Sequence, residues 1–142
     1  MSTGVATEDA VARYLAASEA NDIGGLLATL APDAELVSPI SGHMVFRGRP
    51  DLEILLGAIY GSLRSLRWGP PMGEGDVRFA IAESRVLGVR LDDAMVFELA
   101  PDGMIKRIRP HLRPWFALTL LALVLPPKLG AHLGVVVRAL RG

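Results

Sequence analysis

Apolar positions recur at helical spacing early in the chain and then shift to strand-like alternation. Val11, Tyr14, Leu15 and Ser18 fall on one helical face. Thr7 offers a capping hydroxyl, and Glu8 and Asp9 suit the positive end of the dipole, so a first helix is predicted over Glu8–Ala20. Asp22 caps a shorter helix, Ile23–Leu30, which ends at Ala31-Pro32-Asp33 because proline disfavours the helical conformation at its neighbour. Ala34–Ile40 reads as a strand, Ser41-Gly42 as a tight turn and His43–Phe46 as the hairpin partner. Pro50 can open a third helix, with Leu52, Leu55, Leu56, Ile59 and Leu63 on one stripe and an end between Leu63 and Leu66. Beyond Gly69-Pro70-Pro71 and Gly73, three strands are predicted, Val77–Ala82, Val86–Leu91 and Ala94–Leu99, joined by turns. Ala100-Pro101-Asp102-Gly103 is a further turn. A last strand then runs from Met104 to Leu112, alternating Ile105, Arg107, Arg109 against Lys106, Ile108, Pro110. This order describes an α+β fold with helices on one face of a curled antiparallel sheet.

The C-terminal pattern is different. Trp115–Leu125 is apolar all round, Pro126 and Pro127 are expected to interrupt any single helix, and Leu129, Leu133, Val136 and Leu140 recur on one face beyond them. Lys128, His132, Arg138 and Arg141 lie elsewhere on that last piece, which therefore reads as a basic amphipathic helix. The expected organisation is one α+β domain over 1–113 and a helical extension over 114–142. The uncharged run 114–127 is shorter than the ~20 residues a membrane span needs. The start of the chain lacks a basic region followed by an apolar one, so a cytoplasmic protein is expected.

Composition narrows the chemistry. The 142 residues include no cysteine, which excludes disulfides, thiolate zinc sites and cysteine nucleophiles, and three isolated histidines offer little to a metal. No cofactor is implied. Fifteen basic side chains balance fifteen acidic ones, which argues against nucleic acid as a partner. The balance is uneven along the chain: residues 1–103 hold 8 basic and 15 acidic side chains, and residues 104–142 hold 7 basic and none acidic.

Three segments together resemble a known opening: Val11-Ala12-Arg13-Tyr14-Leu15-Ala16-Ala17, then Asn21-Asp22 with Gly25, then the run from Leu27 through Asp33 to Ser38-Pro39. They are similar to the nuclear transport factor 2-like superfamily, in its ketosteroid isomerase and SnoaL-like polyketide cyclase branch, over residues 7 to 112. The resemblance implies a cone: a strongly curved sheet around a long helix, enclosing an apolar pocket open at one end. It also implies a homodimer formed through the sheet.

In the isomerases a carboxylate moves a proton along an enone, while a tyrosine and a protonated acid stabilise the enolate oxygen. Tyr14 matches that tyrosine, and can equally be a core residue on the apolar stripe. Ser38 stands where the isomerases carry the base, and a serine hydroxyl cannot take a substrate proton near neutrality without a base of its own. It is either a polar pocket group or the end of a strand. The second acid falls on Asp93 or on Met95, depending on the length of the turn at Ala100–Gly103. A shift of two keeps the same sheet face, so alternation cannot choose between them. Asp92-Asp93 can also be no more than a polar turn. Ser38, Phe46, Leu55, Trp68, Met95, Phe97 and Ile108 are the expected pocket lining, with Tyr14 and Asp93 as catalytic candidates. His43, His111, Arg47 and Arg49 read as solvated.

Two functions follow. One is binding, with isomerase- or cyclase-type acid–base chemistry, of a small hydrophobic steroid- or polyketide-like molecule. The other is a non-catalytic interaction or peripheral membrane contact through the basic tail. The tail can also fold back and close the cone, since an exposed Trp115–Leu125 run would invite aggregation.

Overall fold

The computed structural model describes residues 9–39, 43–113 and 115–141, the side chains of 115–118 and 131 excepted. In chain order the elements are α1 (Ala10–Glu19), α2 (Ile23–Leu27), β1 (Leu30–Val37), β2 (Val45–Arg47), α3 (Arg49–Ser62), β3 (Arg64–Trp68), β4 (Val77–Val86), β5 (Val89–Leu99), β6 (Ile105–Arg113), α4 (Trp115–Leu129), a 3₁₀ turn (Gly130–His132) and α5 (Leu133–Arg141). The six strands form one open sheet in the order β2-β1-β6-β5-β4-β3. The α+β layout is the expected one, but the sheet is mixed. β1 runs parallel to β6, and every other neighbouring pair is antiparallel.

Several boundaries moved for identifiable reasons. Asp9 caps α1 through the Ala12 amide; Thr7 and Glu8 lie outside the described residues, as does the expected turn at Ser41-Gly42. The second helix stops at Leu27 and β1 begins at Leu30, carrying Pro32 through the stretch where the β1–β6 register slips. A proline without a donor is tolerated there because no ladder bond is missed. Gly48 turns the chain into α3 with φ +86°, a conformation glycine alone adopts freely. β3 was not foreseen, because Arg64–Trp68 has the polar look of an edge strand.

The three middle strands are two. β4 and β5 pair without a break from Val77–Glu98 to Val86–Val89 and reverse through Leu87-Gly88, both at positive φ as a type I′ hairpin requires. Glu83-Ser84-Arg85 and Asp92-Asp93, expected as joints, are therefore strand residues. A slip opposite Glu98–Leu99 breaks the expected alternation in β6: Ile105 turns inward with Ile108, and Lys106 is the extra residue.

The core lies between the concave face of the sheet and α1–α3, around Tyr14, Leu26, Leu52, Leu56, Phe97 and Ile108. The tail belongs to it. Leu129, Val135 and Ala139 join the main core, and Leu121 packs with Val86 and Leu91. Helix α4 continues through Pro126 and Pro127, contrary to the expected break, and gives way to the 3₁₀ turn only at Gly130. Packing on both sides of the prolines outweighs the two missing donors. The inward face of α5 is Val135 and Ala139, while Leu133 and Leu140, expected on one apolar face with Leu129 and Val136, are exposed.

Candidate functional site

A cavity of about 290 Å³ lies between α3, the concave sheet and the tail. That is roughly twice an engineered apolar cavity that holds benzene. Its walls are almost wholly apolar. The body contributes Leu36, Phe46, Leu55, Leu56, Trp68, Leu91, Met95 and Pro110 among others, and the tail contributes Leu121, Ala122, Leu125, Pro126, Leu129, Leu133 and Val136. The polar groups in the lining are few: Tyr60, Asp93, Ser38 and Ser84.

The sheet dictates which side chains arrive there. On β5, Leu91, Asp93, Met95 and Phe97 share the concave side; their partners on β4 are Ser84, Ala82, Ala80 and Arg78. Small residues at 80, 82 and 84 leave space in front of the larger β5 side chains. Asp93 and Met95 both line the cavity, so the two registers weighed from the sequence bring both residues to the same wall. Pro110 pairs with Met95 beyond the last β1–β6 pair, where its missing donor leaves no partner unmet.

Asp93 is the unusual group. One carboxyl oxygen, Oδ1, is buried and has no hydrogen-bond partner. Burial pushes its pKa up to about 7, and the His111 amide, which favours the carboxylate, offsets only part of that. An unpartnered buried acid oxygen is costly, and such groups concentrate where function requires them.

Behind it stand two phenols. The Tyr14 and Tyr60 hydroxyls are 2.8 Å apart, and either can donate. Tyr14 is fully enclosed, its ring edge-on to Phe97 at 5.2 Å and to Tyr60 at 6.3 Å. Burial raises both pKa values well above the ordinary phenol range, and the charge of Asp93 adds to each. Both rings therefore stay protonated and can only donate or relay hydrogen bonds.

The expected lining divides. Ser38, Phe46, Leu55, Trp68 and Met95 face the cavity; Phe97 and Ile108, fully buried, lie behind its wall, and so does Tyr14. Trp68 is fixed from outside, its indole donating to Ser18 Oγ at 2.7 Å and its amide to Glu19 at 2.8 Å. His111 is exposed, with Nδ1 3.2 Å from the Ala94 carbonyl, and Arg47 pairs with Glu35 on the outer face. Tyr60 was not singled out from the sequence, although Leu52, Leu56 and Tyr60 follow one another at four-residue steps. That spacing was the available signal.

The tail is clasped over the cavity. Arg138 donates to both oxygens of Asp51, at 2.7 Å each, in the first turn of α3. The guanidinium holds the Asp51 carboxyl below its ordinary pKa. Three of the six other Lys and Arg side chains after residue 103 pair within the sheet: Arg107 with Glu35 and Glu98, Arg109 with Glu98, Arg113 with Asp92.

No family model and no curated protein matches the chain. Solved structures do. An uncharacterized bacterial protein with a cystatin-like fold, from Silicibacter pomeroyi, is 20% identical with a TM-score of 0.84, covering 92% of this chain and 93% of its own. A steroid delta-isomerase from Pseudomonas aeruginosa is 20% identical with a TM-score of 0.79, covering 94% and 96%. TerC, co-crystallised with polyporic acid, is 21% identical with a TM-score of 0.63, covering 80% and 95%. The chain has the cystatin-like, nuclear transport factor 2-like fold, which the ketosteroid isomerases share.

Proposed function

We propose that the chain binds a small hydrophobic cyclic molecule carrying a carbonyl oxygen, of steroid or polyketide type, and moves a proton on it with Asp93. The observation that carries this reading is the buried, unpartnered Asp93 Oδ1 in an almost wholly apolar cavity. The likeness in fold to a steroid delta-isomerase and to a protein crystallised with polyporic acid supports the ligand class.

Each group then has a task. The Asp93 carboxyl, its pKa pushed up to about 7, in its ionised form takes a proton from the carbon next to the ligand carbonyl and returns it to another position. Tyr60 donates to the ligand oxygen as negative charge develops there, and Tyr14 donates to Tyr60 from behind, so the pair acts as a relay. Ser38 contributes a polar contact and no proton transfer. The apolar walls exclude water and strengthen these bonds.

A Δ5-3-ketosteroid tests the proposal, with the conjugated enone product followed by absorbance. The native chain is expected to turn it over, and Asp93→Asn to lose about 10²–10⁴-fold, the usual contribution of a general base. Neither turnover nor saturable steroid binding by the native chain overturns the reading for this class. A homodimer through the outer face of β4, where Val77, Phe79 and Ile81 are exposed, belongs to the same proposal. Sedimentation velocity of Ile81→Arg checks it.

A further inference from the structure

Helix α5 has two apolar stripes. Val135 and Ala139 point into the core. Leu133, Val137 and Leu140, spaced to fall on one helical face, point outward with 66%, 47% and 61% of their surfaces exposed, and Leu123 of α4 is 67% exposed. Single exposed leucines need no explanation, but a stripe of three on a nine-residue helix does.

Charge says what covers it. The chain carries no acidic residue after Asp102. Lys128 and Arg141, exposed near the two ends of this stretch, have no carboxylate partner among the described residues, and the Arg138 side chain stays 60% exposed beside Asp51. An apolar stripe bordered by cations and free of acids is complementary to an anionic lipid surface, where leucines enter the acyl boundary and cations meet the headgroups. A second copy of this segment would instead set like charges against each other. Among the described residues no helix is long and apolar enough to cross a membrane, so the contact is peripheral.

Leu133 joins this face to the cavity, since it lines the cavity and is two-thirds exposed. We infer that the outer face of α5 docks on anionic bilayers, with the cavity mouth at Leu133 turned toward the lipid, so that an apolar ligand enters without crossing water. The docking does not rest on the proposed chemistry, and its test is independent of turnover.

The test is co-sedimentation of the full chain with phosphatidylcholine vesicles, alone or with about one-third phosphatidylglycerol, a charge density that attracts basic segments. The native chain is expected to pellet with the anionic vesicles only, and less at high salt. Val137→Ser/Leu140→Ser, which removes exposed apolar surface outside the cavity, and Lys128→Glu/Arg141→Glu are each expected to cut the bound fraction severalfold while circular dichroism stays native. A native chain that remains in the supernatant with both vesicles overturns the inference. So does undiminished binding by the serine pair, or a dimer that this pair converts to monomer, which would assign the stripe to a second copy.

Discussion

The cavity has two walls of opposite character. Among the described residues the body wall, from α3 and the sheet, holds the polar groups that face the cavity; the β4–β5–β6 ladder positions Asp93, and the fully buried Tyr14 holds Tyr60. The tail wall is apolar, and the contact that ties α5 to α3 with charge is the Arg138–Asp51 pair. On the proposed function, chemistry and access fall to different segments, and changes in one wall should leave the other's property intact.

The largest expected effect is on the body wall. In the unfolded chain Asp93 ionises near its ordinary value of 3.8, whereas in the folded protein it holds its proton until about pH 7. Between those values the folded state binds more protons, so stability falls as pH rises. Full ionisation in both states above pH 7 leaves a penalty of about 2–4 kcal/mol, the lower end allowing for the residue's partial exposure. Asp93→Asn is therefore expected to be more stable than the native chain at pH 8 and no more stable at pH 4, while losing turnover. Denaturant melts at the two pH values check this, and a gap that does not change with pH refutes it. In the native chain kcat/KM is expected to rise through pH 7 as the base ionises.

Next comes the phenol pair. Tyr14→Phe and Tyr60→Phe each strand the other hydroxyl in a buried site, and each is expected to cost about 1–3 kcal/mol. Function separates them. Tyr60 lines the cavity and Tyr14 does not, so Tyr60→Phe should lower kcat by about 10²-fold, as loss of an oxyanion donor does. Tyr14→Phe should lower it far less. The reverse ranking would place Tyr14 as the donor and move the ligand deeper into the cone.

Much of this arrangement was legible in the residues, and the failures share a cause. Tyr14 and Asp93 emerged because the resemblance to the ketosteroid isomerases puts a tyrosine at the first and, in one of two registers, an acid at the second. Phe97 and Ile108 were expected in the lining because alternation shows which side of the sheet a residue faces, not whether the space before it is filled. Glu83-Ser84-Arg85 looked like a turn because two of the three face solvent in the middle of a long strand. The slip at Lys106 and the passage of α4 through Pro126-Pro127 depend on contacts distant in sequence, which local propensity cannot weigh. Tyr60 was hidden by its apolar neighbours, and its place in the cavity lining and its 2.8 Å contact with Tyr14 bring it out.

The smallest expected effect on stability, and the sharpest on kinetics, is at the clasp. Arg138→Ala removes both hydrogen bonds to Asp51 but leaves Leu129, Val135 and Ala139 in the core, so the tail should stay docked on average and open more often. Ligand association and dissociation are then both expected to speed up severalfold with little change in affinity, whereas a substitution on the body wall alters affinity or turnover. Asp51→Asn should mimic it. Because the guanidinium holds Asp51 below its ordinary pKa, the clasp is complete above that ordinary value and is lost as pH falls through the depressed one. Ligand exchange in the native chain should therefore quicken in acid, and exchange in Arg138→Ala should not. Stopped-flow binding of a fluorescent steroid across pH reads both arms. Equal acid acceleration in the two proteins would move the gate away from Asp51 and onto the apolar contacts of α4.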